Sequence, residues 1–161
     1  MKKVNLDTSF LPYGNFKIIK LVEKVEANIN VKNKHGNTTL MGACYYGHLE
    51  IAELLIEAEA NIDIKNEDGK TAIMLACQMG HLDITELLID YKANINLQNK
   101  HGYTALMLAC EFGHLEIVKL LIKADVNLNK KDNLKTTALK IAYEFGHLEI
   151  ANLLKENGAT E

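Results

Sequence analysis

The tripeptide Gly-His-Leu occurs four times, at Gly47-His48-Leu49, Gly80-His81-Leu82, Gly113-His114-Leu115 and Gly146-His147-Leu148, and each copy lies 33 residues after the last. In that register many other columns align without a gap. Thr38, Thr71, Thr104 and Thr137 fall together, as do Ala43, Ala76, Ala109 and Ala142. Ile51, Ile84, Ile117 and Ile150 match, followed by the pairs Leu54-Leu55, Leu87-Leu88, Leu120-Leu121 and Leu153-Leu154. So strict a period specifies a stacked array, in which each unit touches only its neighbours, and not a conventional globular core.

Within one period, 34–66, the pattern predicts a turn, a helix, a tight loop, a second helix and an extended return. Gly36 suits a turn position with positive φ, which a residue without Cβ adopts at no steric cost. Thr38 is placed to cap the first helix through its hydroxyl oxygen. Leu40, Ala43 and Cys44 are spaced i, i+3, i+4 and line one face of that helix, which Gly47 then ends. Leu49, Ala52 and Leu55, with Ile51 and Leu54 alongside, form a wide apolar face on the second helix. Asn61-Ile62-Asp63-Ile64 alternates like a short extended segment. Neither helix is long enough to be stable alone in water, so each unit must bury its faces against its neighbours. The small residues at Ala43 and Cys44 allow close approach between adjacent helices.

These residues resemble the ankyrin family, whose unit is a β-turn plus two helices with a G-x-T-P-L-H-x-A signature. The matching segments are Gly36-Asn37-Thr38-Thr39-Leu40-Met41, Gly69-Lys70-Thr71-Ala72-Ile73-Met74 and Gly102-Tyr103-Thr104-Ala105-Leu106-Met107, together with the Gly-His-Leu-Glu/Asp-Ile start of helix two. The resemblance implies an all-α ankyrin-repeat solenoid of helix–loop–helix units joined by β-turn or hairpin-like loops, with a right-angled concave groove. It covers 34–161 strongly and divides the single domain 1–161 into full repeats at 34–66, 67–99 and 100–132. A C-terminal capping repeat is expected at 133–161, and a degenerate N-terminal capping repeat at 1–33. The latter aligns through Gly14, Ile18, Leu21, Val22, Ala27, Asn28 and Ile29, but carries Asp7 in an apolar column and Pro12 near the end of its first helix.

The departures from the family pattern have local consequences. The proline of the first helical turn is replaced by Thr39, Ala72, Ala105 and Ala138, and the histidine two residues on by Met41, Met74, Met107 and Lys140. A Thr–His hydrogen bond is thereby removed while the threonine cap can remain, so helix starts are expected to weaken with the fold unchanged. Lys135 replaces the turn glycine of the last unit, and Lys155, Glu156 and Asn157 make the final helix end polar, as a terminal cap requires.

Composition narrows the function classes. The net charge is −3 and every basic residue other than histidine is Lys, with no Arg. Arg supplies most bidentate contacts to phosphates and bases, so specific nucleic-acid recognition is not expected. No run of apolar residues is long enough to span a membrane, and the N-terminus lacks the apolar stretch of a signal peptide, so a cytoplasmic, intracellular protein is expected. The histidines of the Gly-His-Leu triplets recur once per repeat, roughly 8–10 Å apart in stacked helices, whereas zinc needs its ligands within about 2.0–2.3 Å of one point. A structural role at the start of helix two is expected for them. By the same spacing Cys44, Cys77 and Cys110 are expected to be buried, reduced core residues. No nucleophile elbow, phosphate loop or paired metal motif is present, and Glu50, Asp83, Glu116 and Glu149 are accounted for by the helix-two dipole. No enzymatic activity, cofactor or metal is expected.

The columns that vary over this constant frame carry the candidate function. Ankyrin proteins typically bind through turn tips and the exposed side of the first helices, which implies a protein partner on the concave face. Carried over by position, the contact residues at the tips are Asp68, Lys70, His101 and Tyr103. Those on the first helices are Tyr45 and Tyr46, Gln78 and Met79, Glu111 and Phe112, and Glu144 and Phe145. Tyr46, Met79, Phe112 and Phe145 form either an aromatic-rich contact ladder or a core rim folded over the adjacent helix ends. The expected function is a monomeric interaction module or adaptor for another protein. The alternatives are a regulatory or targeting subunit of a larger enzyme or channel complex, or a host-directed effector.

Overall fold

A computed structural model of the chain describes residues 28–160. Among the described residues there are eight helices and no strand: α1 (Thr39–Tyr46), α2 (Leu49–Glu57), α3 (Ala72–Met79), α4 (Leu82–Asp90), α5 (Ala105–Glu111), α6 (Leu115–Lys123), α7 (Ala138–Glu144) and α8 (Leu148–Glu156). They pair in chain order, first helix against second within a unit, and each unit stacks on the next. The expected capping unit at 1–33, with Asp7, Pro12 and Gly14, lies outside the described residues except for 28–33.

Each first helix starts at a threonine in extended conformation. The hydroxyls of Thr38, Thr104 and Thr137 accept from the backbone N–H of Met41 (3.3 Å), Met107 (3.2 Å) and Lys140 (3.4 Å), satisfying one otherwise orphaned donor each. Thr71 is the exception. Its buried hydroxyl has no hydrogen-bond partner, so the expected cap is missing from α3. At Thr104 the methionine that stands in the family's histidine position turns back, and Met107 Sδ accepts from the Thr104 N–H at 3.5 Å.

The core is the row of first helices. Ala43, Ala76, Ala109 and Ala142 are fully buried together with Cys44, Cys77 and Cys110, and these small side chains let α3 pack closely against both α1 and α5. First helices contact one another more extensively than second helices do. A stack that is tighter along one row bends toward it, which makes the first-helix side concave. The second helices bury Ala52, Leu55 and Ile56 in α2, and Ile117, Val118 and Leu121 in α6. This corrects the expected α2 face: Ile56 belongs to it, whereas Leu49, in the first turn, is over one-third exposed.

The units are also tied by polar bonds at the same register. Each ring of His81, His114 and His147 reaches back to the end of the preceding first helix, with Nε2 at 3.1–3.2 Å from the carbonyl oxygens of Tyr45, Gln78 and Glu111. Gly47, Gly80 and Gly113 leave room for these rings, since an added Cβ would lie 2.5–2.7 Å from the ring Cε1. At the turn tips, the N–H groups of Glu67, Lys100 and Asn133 donate to the carbonyls of His35, Asp68 and His101 in the preceding unit.

The expected extended segment at Asn61–Ile64 is a turn instead. The alternation survives as burial, with Ile62 and Ile64 half-buried and Asn61 and Asp63 exposed. The backbone pairs with side chains and not with another strand. The N–H groups of Asn61, Asn94, Asn127 and Thr160 donate to Asn30, Asp63, Asn96 and Asn129 side-chain oxygens of the unit before, at 2.7–3.0 Å.

Candidate functional site

The ends of α1, α3, α5 and α7 carry the same two columns, and their second members form a row along the concave side. Tyr46 is 64% exposed, Met79 40%, Phe112 48% and Phe145 52%. A rim folded into the core would be largely covered, so the row is surface. Local contacts hold the rings without hiding them. Tyr45 meets Tyr46 edge-on at 5.0 Å between centroids, and Phe112 stacks on His114 at 6.4 Å. His114 is the residue whose Nε2 bonds the Gln78 carbonyl, so the inter-unit tie also orients the Phe112 ring.

The first members of the columns divide. Gln78 and Glu111 are half-buried, whereas Tyr45 and Glu144 are exposed. Lys70, from the tip of the second described unit, donates to Gln78 Oε1 at 2.8 Å. Burial raises the Glu111 carboxyl above its ordinary range, opposed by the positive charge of Lys70. Burial also raises the Tyr103 phenol, reinforced by the negative charges of Glu111, Asp132 and Glu144. Tips and helix ends thus meet around Tyr103. Glu144 sits 3.8 Å from Lys140 in an ion pair with both side chains about half exposed, an arrangement of little energetic weight.

Asp68 and His101 stand exposed at the tips, and their backbone carbonyls carry the inter-unit bonds. The structure therefore sets Lys70, Gln78, Tyr103 and Glu111 close to one another. Asp68 and His101 are left exposed at the turn tips. Leu134 occupies the same tip column as Asp68 and His101, a position the sequence already assigns to the tips, and is 85% exposed, a leucine in an otherwise polar column. Sequence reasoning assigned the triplet histidines a structural role without naming their acceptors, because a carbonyl in the preceding unit leaves no mark in sequence.

The remaining chemistry-bearing groups are buried or dispersed. Cys44, Cys77 and Cys110 are free and buried. Among the described residues no group of three or more His, Cys, Asp or Glu is placed to hold a metal ion. No helix among them is long and apolar enough to cross a membrane. A family model described as ankyrin repeats (3 copies) matches residues 10–99 and 88–160, and repeats of this kind generally bind proteins and are typically non-catalytic. No curated protein matches the chain.

Proposed function

The chain belongs to the ankyrin-repeat family, and on that premise we propose that it is an intracellular, non-catalytic adaptor whose concave face holds another protein. The observation that carries this reading is the exposed row of Tyr46, Met79, Phe112 and Phe145, since exposed aromatics and methionine in register are the side chains that interfaces favour. Around it Asp68, Lys70, His101, Tyr103, Glu111 and Glu144 supply polar contacts. The scaffold supports recognition by presentation: helices locked by inter-unit bonds lose little freedom when a partner binds. The domain is organised as repeats at 34–66, 67–99 and 100–132 with capping units at 1–33 and 133–161, and the module is a monomer by itself. Three free, buried thiols and the lack of a disulfide between them suit a reducing compartment.

The test is an affinity capture from lysate of the source cells, comparing the wild type with a Tyr46→Ala, Tyr103→Ala, Phe112→Ala variant shown to be folded by circular dichroism. A protein retained by the wild type and lost by the variant is the expected result. Equal retention by both would move binding off the concave face and overturn the assignment. Light scattering on a sizing column checks the monomer.

A further inference from the structure

The ring contacts between units form a receptor that occurs in three internal copies. In each, a glycine in left-handed conformation at the end of a first helix leaves room for a ring. Gly47 (φ 77) faces His81, Gly80 (φ 80) faces His114 and Gly113 (φ 75) faces His147. A Cβ on these glycines would lie 2.7, 2.6 and 2.5 Å from the respective ring Cε1. The carbonyl two residues before the glycine completes the receptor. His81 Nε2 lies 3.1 Å from the Tyr45 oxygen, His114 Nε2 3.1 Å from that of Gln78, and His147 Nε2 3.2 Å from that of Glu111. A backbone carbonyl only accepts, so Nε2 carries the hydrogen in all three.

The same receptor recurs, exposed, at Glu144-Phe145-Gly146. Gly146 has φ 77, and a Cβ there would meet nothing within 4 Å among the described residues. At this helix end the N–H groups of Phe145, Gly146, His147 and Leu148 donate to the carbonyls of Ile141, Tyr143, Ala142 and Gly146. Among the described residues none donates to the Glu144 carbonyl. The Glu144 carboxylate pairs with Lys140 at 3.8 Å; the receptor uses the Glu144 backbone alone. The rest of the internal interface is not repeated here. The columns of Gly36, Gly69 and Gly102 and of Met41, Met74 and Met107 are buried, yet they continue as the exposed Lys135 and Lys140. An apolar repeat unit stacked on this end would strip water from both ammonium groups. The retained geometry therefore suits a ring carried on a loop and not a further unit. Two residues on, Leu148 is 60% exposed, against 37% for Leu49 and Leu82, and offers apolar contact beside the ring.

We propose that Glu144-Phe145-Gly146 is a docking site for a histidine of a partner protein, carried on a loop with an apolar residue after it. The ring lies over Gly146, and its Nε2–H donates to the Glu144 carbonyl as in the three internal copies. The site goes beyond the concave-face reading, sharing with it only Glu144 and Phe145.

The proposal is tested by NMR titration of the isotope-labelled full chain with the peptide acetyl-Gly-His-Leu-Glu-amide. That sequence carries the ring in two of the internal copies, Gly113–Glu116 and Gly146–Glu149. One control peptide is methylated on the histidine Nε2 and cannot donate from it; the other has Phe in place of His. Saturable shifts of the Gly146 N–H and the Glu144 carbonyl carbon are expected, with a Kd on the order of 10 mM. Gly47, Gly80 and Gly113, already covered by rings, should not respond. Both controls should bind at least about tenfold more weakly. Gly146→Ala should abolish the shifts, because its Cβ takes the space a ring fills in the other copies. If that variant is not folded, Gly146→Asn fills the same space with a residue that tolerates left-handed backbone. Absence of the shifts, equal binding of either control, or retained binding by the Gly146 variants overturns the proposal. Concentration-dependent association of the chain, lost in Gly146→Ala, would assign the site to the exposed His35 or His101 of a second copy and overturn the partner assignment. A cellular partner lost from the concave-face triple variant while the peptide fails to bind leaves the concave-face reading standing and sinks only this inference.

Discussion

At the scale of single residues, the stack is held by places where one side chain needs the room another leaves. Gly113 and Gly146 have nearly the same left-handed backbone, φ 75 and 77, but differ in what faces them. A Cβ on Gly113 would sit 2.5 Å from His147 Cε1, whereas one on Gly146 meets nothing within 4 Å. Alanine at either position costs roughly 1–2 kcal/mol of backbone strain. Gly113→Ala should cost about 1 kcal/mol more, because the ring is displaced from its Glu111 carbonyl. Urea unfolding of the two variants checks this, and equal losses would show that the ring moves aside freely. The reverse case is Lys92, exposed and held at φ 66. Lys92→Gly should raise stability by about 0.5–1 kcal/mol, the strain relieved less the entropy that glycine loses on folding; a lowered midpoint would mean that the Lys92 side chain contributes contacts. Glu59 and Asp125 share this conformation, and sequence reasoning found only Lys135. It had a glycine column to compare with at Lys135, while the helix-two ends have Gly only at Gly158.

At the scale of elements, helices of seven to nine residues exist because their neighbours do. α3 is the clearest case: it lacks a threonine cap bond, yet all its residues from Ala72 to Cys77 are buried between α1 and α5. Packing outweighs the missing cap, which is worth typically about 1 kcal/mol. Ala76→Leu should therefore overpack both contacts and cost roughly 1–3 kcal/mol. An unchanged thermal midpoint would show that this column does not face the stack. The helices and their inward faces were legible, since Leu40, Ala43 and Cys44 follow helical spacing. The return segment was not. Asn61–Ile64 alternates like a strand, but alternation reports which side is covered and says nothing about whether a second strand is present to pair with it.

At the scale of the whole molecule, the buried thiols connect packing to pH. Burial, reinforced by the neighbouring Cys77, pushes Cys44 up to about 12. Burial pushes Cys77 up to about 12 against a hydrogen bond with Thr85 that lowers it, and raises Cys110 for the same reason as Cys44. A thiol raised on folding contributes stability in full below its unfolded pKa, near 9, and that contribution is lost as pH climbs toward the folded value. Unfolding free energy should fall above about pH 9, by at most about 1.4 kcal/mol per pH unit for each thiol. Cys77→Ala should start lower and fall less steeply between about pH 9 and 11. Parallel slopes in wild type and variant, measured by urea melts across that range, would show that other groups account for the loss.

The 33-residue period determined by itself that the chain is a stack, how its helices face inward, which cysteines and histidines are structural, and which columns are free to vary. Those features are set by repetition, and repetition is visible in one dimension. Only the tertiary structure decided that Tyr46, Met79, Phe112 and Phe145 stand out from the core, that Glu111 and Tyr103 converge with Lys70, and that His81, His114 and His147 each close on a carbonyl one unit back. A side chain at a helix end can turn over its neighbour or into solvent with the same sequence around it, and the choice depends on the space the next unit leaves.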